Sequence, residues 1–76
     1  MDIVRRQHSG RFIIQGYGEK LADASYAATF VITEQQIDGD VEIKRSTGKT
    51  FEKEADAAES GLCDGIAWLE VFRPAN

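Results

Sequence analysis

The stretch Ser46-Thr47-Gly48-Lys49-Thr50 sets Gly-Lys-Thr between an extended segment and a helix. Loops that hold nucleotide phosphates have this order: backbone amides cradle the anion and the lysine meets its charge. The full pattern needs a glycine five residues before Gly48, and Ile43 stands there. No parallel sheet is foreseen to present such a loop, so the segment reads as a polar connection into the helix. Asp38-Gly39-Asp40-Val41-Glu42 brings three carboxylates together. A calcium loop draws about six oxygen ligands from a longer, defined spacing. These acids therefore read as the solvated side chains of a turn.

Nucleophiles fare no better. His8 is the only histidine and lies among polar residues near the start, with no nucleophile and orienting acid to name beside it. Cys63 is the only cysteine, so an internal disulfide is ruled out, as suits a reducing cytoplasm. Its neighbour Asp64 raises a thiol pKa rather than lowering it, so Cys63 reads as a half-buried packing residue. No catalytic, cofactor-binding or metal-binding residue is expected.

Positive charge is the remaining chemical signal. The chain carries 9 Lys and Arg against 13 Asp and Glu, a formal net charge of −4. Such a balance opposes general nucleic-acid binding, which draws its affinity from phosphate neutralisation. A local basic face is the alternative: Arg5, Arg6, Arg11, Lys44, Arg45 and Lys49 are the candidate nucleic-acid-binding residues, with Tyr17 as a stacking aromatic. Glu19, Glu34 and Glu42 interrupt that set.

The elements that must position these groups come from periodicity. From Thr50 to Arg73, Ala55, Ala58, Leu62, Ile66 and Leu69 recur at helical spacing and define one apolar stripe. The helix is expected to begin at Glu52–Glu54, its acids favourably placed at the positive end of the helix dipole. Arg73 suits the opposite end, and Pro74 stops continuation. A second row, Ala57, Gly61, Gly65 and Trp68, contains two glycines that cost about 1 kcal/mol each relative to alanine. Close packing of helix on sheet accounts for them; a groove beside Trp68 for a partner chain is the sharper reading. Trp68, Phe72, Gly61 and Gly65 are thus the candidate partner-binding residues.

Upstream, residues 1–10 read as a tail or weak edge strand, and residues 11–73 as a single domain. Strand one is expected over 11–19, with Phe12, Ile14 and Gly16 on one face and Ile13, Gln15 and Tyr17 on the other. Strand two spans about 25–34, where Tyr26, Ala28, Phe30 and Ile32 alternate with Ala27, Thr29, Val31 and Thr33. Asp38-Gly39 signals a type I′ hairpin, followed by strand three over about 40–46 and a loop over 46–49. A helix with one apolar face needs a sheet to bury it. The fold class is α+β: a three-stranded antiparallel β-meander under one C-terminal helix, β-β-β-α. A chain this short supports a net stability of roughly 3–5 kcal/mol.

The segment Gly48-Lys49-Thr50-Phe51-Glu52-Lys53-Glu54-Ala55, with Gly61-Leu62 and Ala67-Trp68-Leu69-Glu70, resembles a set of short, uncharacterised bacterial β-β-β-α proteins over about residues 10–72. It also resembles, over about twenty residues, the partial RNase-H-like domain of HicB antitoxins; that family's added DNA-binding extension is not expected here. The first resemblance implies a fold alone. The second implies a regulator of antitoxin type. The expectation is a small, non-catalytic protein-interaction module of the bacterial cytoplasm, with an unknown protein partner or self-association. Nucleic-acid binding is the alternative, and an enzyme the remotest one.

Overall fold

A computed structural model of the chain describes residues 3–72. Four strands, β1 (Val4–Ser9), β2 (Phe12–Lys20), β3 (Tyr26–Gln36) and β4 (Gly39–Phe51), precede one helix, α1 (Glu54–Phe72). The strands lie in chain order in one antiparallel sheet, and α1 covers one face. The fold is therefore α+β as expected, but the sheet has four strands rather than three. Val4–Ser9 supplies the extra one, paired without a break from Val4↔Tyr17 to Ser9↔Phe12. Gly10, with φ 61, turns the chain between them.

The hairpin between β3 and β4 is where foreseen, one residue out of place. Ile37 and Asp38 form its tip, and Gly39 opens β4 with φ 130. A type I′ turn over Asp38-Gly39 needs positive φ at both, and Asp38 is not among the positive-φ residues. The expected loop at 46–49 is also absent: β4 continues to Phe51. Two register shifts against β3 accommodate the extra length, one between Ala27 and Thr29 and one between Ile32 and Thr33. The second leaves Ile43 without a direct partner, since Ile32 pairs with Lys44 and Thr33 with Glu42. An extra residue of this kind breaks strict alternation. Ile43 then packs against the core while Lys44 lies over the Trp68 ring, 5.8 Å from its centroid.

The core forms where the helix meets β2 and β3. Ile14, Phe30, Ile32 and Leu69 are its buried centre, with Phe12, Ile43, Leu62, Ile66 and Trp68 packed around them. Of the expected stripe, Ala58 and Leu69 are buried and Ala55, Leu62 and Ile66 half-buried. The deepest line of α1 is Ala57, Ala58, Gly61, Gly65 and Leu69. The contact face is thus rotated towards the glycine row. A side chain added there has no room: a Cβ at Gly65 would come within 2.6 Å of Ile14 Cγ2, and one at Gly61 would strike the carbonyl of Thr29. Across the contact, a Cβ at Gly16 of β2 would lie 2.5 Å from the Ala58 carbonyl oxygen and 2.7 Å from Leu62 Cα. Glycines on both layers let backbone meet backbone, and larger side chains fill the flanks. Arg73 and Pro74, the expected stop signals, lie outside the described residues.

Gly61→Ala decides between helix propensity and packing. An exposed helical glycine gains about 1 kcal/mol on becoming alanine. Here the methyl meets Thr29 backbone atoms, its carbonyl carbon at 3.0 Å and nitrogen at 3.1 Å, and overpacking costs about 1–3 kcal/mol or more. We expect a net loss of about 2 kcal/mol, read as a lower urea midpoint. Gly48→Ala is the control: its Cβ meets only the Asp64 carboxylate at 3.4 Å and Ala28 O at 3.8 Å, and its stability is expected to hold or rise by about 0.5 kcal/mol.

Candidate functional site

Three surfaces remain once the core is closed: the sheet face away from α1, the two outer strand edges, and the end of the molecule at the helix C-terminus.

On the face away from α1, register lines the side chains into rows. One row runs Arg6, Gln15, Val31 and Arg45, and the next Val4, Tyr17, Thr29 and Thr47. Thr29 and Val31 are buried although no helix covers them. Long polar neighbours close over them: Arg45 Nη1 donates to the Tyr17 hydroxyl at 2.8 Å, and Arg6 reaches Gln15. With the Gln15 amide oxygen facing Arg6, it accepts from Nε at 3.0 Å and Nη2 at 2.6 Å. Thr29 is itself satisfied, its hydroxyl donating to Ala27 O at 3.1 Å and lying 3.4 Å from the Thr47 hydroxyl.

The structure does not bring the six candidate basic residues together. Arg6 and Arg45 lie on the face away from the helix, but Arg5 belongs to the opposite face and reaches Glu59 of α1 at 3.9 Å. Arg11, at the β1–β2 turn, pairs with Glu34 at 2.9 Å and has its guanidinium 5.9 Å from the Phe12 centroid. Lys44 sits on the helix side over Trp68, and Lys49 is exposed near the end of β4. Arg45 donates twice to Glu42, from Nε at 3.1 Å and Nη2 at 2.9 Å. These bonds hold the Glu42 carboxyl below its ordinary range and raise Arg45 above its own.

The candidate partner-binding residues also separate. Gly61 and Gly65 are buried against the sheet. Trp68 and Phe72 do come together, their rings stacked at 4.8 Å with 12° between planes. Trp68 is half-buried against the core, Phe72 is exposed, and Val71 beside it is 88% exposed. Val41 and Ile37 are exposed on β4 and the hairpin tip. The direction of α1 places them at the same end: Glu54 lies beside Gly18, Gly65 against Ile14 and Phe30, and Leu69 joins Ile32 in the core. Val71 falls outside the apolar stripe, and that position is itself a signal, since an apolar residue two places beyond Leu69 faces away from the sheet.

The remaining chemical candidates stay apart. Cys63 is exposed rather than half-buried. His8 is exposed on β1. Among the described residues, no group of three or more His, Cys, Asp or Glu side chains could hold a metal ion. An open depression of about 600 Å³ lies between Val4, Tyr17, Tyr26 and Glu54, beside the end of β2. Glu54 is already engaged there, accepting from the Ile3 amide at 3.1 Å. No described helix is long and apolar enough to cross a membrane. Comparison with protein-family models, with curated proteins and with solved structures gave no match.

Two carboxyls carry a pH signature with separate causes. Asp23, in the β2–β3 connection, accepts from the Ser25 hydroxyl at 2.6 Å and the Ser25 amide at 3.0 Å, which lowers its pKa. Glu42 is lowered by Arg45. A carboxyl depressed in the folded state stabilises it above the unfolded pKa, and that contribution is lost as pH falls through the folded pKa. In Arg45→Gln, the Glu42 titration followed by carboxyl NMR is expected to move up to its ordinary range. Asp23, whose partner is untouched, should titrate as before.

Proposed function

We infer that this chain is a small, non-catalytic protein-interaction module whose primary contact is the end of the molecule around Phe72 and Val71. The observation that supports this reading is the aromatic stack at the end of α1. Phe72 is exposed and stacks on Trp68, which packs against the core, and Val71, next to Phe72 in the chain, is 88% exposed. Aromatic residues held rigid from below lose little freedom on binding and dominate the energetics of protein contacts. Lys44, lying over the Trp68 ring, gives the cluster a polar border of the kind that rims such contacts.

Val71→Asp tests the reading without disturbing the core. Val71 is 88% exposed, so stability is expected to stay within about 0.5 kcal/mol. Immobilised wild-type chain should retain a stoichiometric protein through nuclease treatment. The variant should bind that protein at least about tenfold more weakly, a loss of roughly 1.4 kcal/mol. Recovery of nucleic acid released by salt, or equal retention by both chains, would overturn the assignment.

A further inference from the structure

The two outer edges of the sheet are not equivalent. Strand β4 is the longer, but its pairing with β3 is interrupted by two register shifts, and such irregularities spoil a strand as a template for another chain. Strand β1 has an unbroken register against β2 across its whole length. It is the end strand of the sheet, with β2 as its one strand neighbour among the described residues, and Val4 to His8 are all exposed. A regular outer edge repeats the hydrogen-bonding frame that one more extended strand would use.

Charge selects the occupant. Val4–Ser9 carries Arg5 and Arg6 and no carboxylate. In a two-fold antiparallel pairing of two copies, side chains of like face oppose each other. Arg6 would then meet Val4, Arg6 or His8 of the second copy, and Arg5 would meet Arg5, Gln7 or Ser9. Within Val4–Ser9 none of these registers supplies an acid, and two of them set arginines directly opposite each other, which destabilises a strand pair. On the face away from α1, Arg6 is joined to the neutral amide of Gln15, in a row whose other members are Val31 and Arg45. On the helix side, Arg5 already faces Glu59. Among the described residues, the positive charge of this edge that no acid meets is thus directed to one face.

We propose that β1 accepts an extended acidic segment of a partner protein as a fifth, antiparallel strand, with a carboxylate set opposite Arg6 on the face away from the helix. The proposal rests on the reading of the chain as an interaction module and adds a second contact to it. Main-chain hydrogen bonds supply the affinity and the Arg6–carboxylate pair the selectivity.

The test uses the intact ¹⁵N-labelled chain and two synthetic peptides that alternate valine with glutamate or valine with lysine. The glutamate peptide is expected to shift and protect β1 amides and to bind about tenfold more tightly than the lysine peptide, with the gap narrowing in salt. Arg6→Glu should reverse the order of the two peptides. Equal binding of both, shifts at Phe72 or β4 in place of β1, or no response up to about 1 mM peptide would overturn the proposal. So would dimerisation through β1 in the absence of peptide, seen by sedimentation together with protected β1 amides. Partner capture that still depends on Val71 separates the two readings. If it persists while the glutamate peptide fails, only the edge proposal falls; if it is also lost, the module reading falls with it.

Discussion

Contact of backbone with backbone between α1 and the two central strands is the constraint on which the rest of the structure depends. Gly16 in β2 and Gly61 and Gly65 in α1 have no room for a methyl group. With these residues in place, the helix settles low on the sheet, and Leu62, Ile66 and Leu69 reach down around the contact. Apolar surface is scarce in a chain of 76 residues. A close approach makes the most of it, because dispersion contacts fade over fractions of an ångström.

That choice explains how the surfaces are divided. With the helix seated over β2 and β3, β1 and the outer part of β4 lie at its margins, and both strands carry mostly polar side chains. The face away from α1 is closed by hydrogen-bonded side chains, as Thr29 and Val31 show by being buried without a second layer. The Tyr17–Arg45–Glu42 chain and the Arg6–Gln15 pair act as a thin polar cover. Apolar exposure is left concentrated where α1 ends.

Much of this was legible in the residues. The alternation of Phe12, Ile14 and Gly16, and that of Ala28, Phe30 and Ile32, gave the correct inward faces, because a strand has period two and one face was buried. The helical segment declared itself by its spacing. The fourth strand declared itself only in part: residues 1–10 read as a tail or weak edge strand, and Val4–Ser9 is almost wholly polar, so no hydrophobic signature chose between the two. The continuation of β4 through Ser46–Lys49 was hidden for a related reason. Ser46 and Thr47 pair with Phe30 and Thr29, and Thr50 with Ala27, so pairing on either side carries the strand across Gly48 and Lys49, which no local propensity reports. Close packing at the row of Ala57, Gly61 and Gly65 was expected and is found; the apolar stripe alone sets the contact face part of a turn away, because periodicity counts large apolar residues. At the closest contact, the informative residues are those with no side chain. The six candidate basic residues are dispersed for a related reason: strand parity sends Arg5 and Arg6 to opposite faces, and nearby acids pair with three of the six cations.

The glycines also bear on the order in which the molecule can assemble. A helix containing two of them gains little stability before docking, and nucleating an isolated helix is already unfavourable. The sheet, for its part, leaves Ile14, Phe30 and Ile32 uncovered until α1 arrives. Neither layer is therefore a template made in advance. Leu69 and Ile14 stand at opposite ends of the sequence, so the contact that completes the core closes a long loop. Such non-local topology slows folding relative to helical domains of equal size. During synthesis the strands must wait for nearly the last turn of the helix, and the growing chain offers its apolar strand face to whatever else is nearby until then.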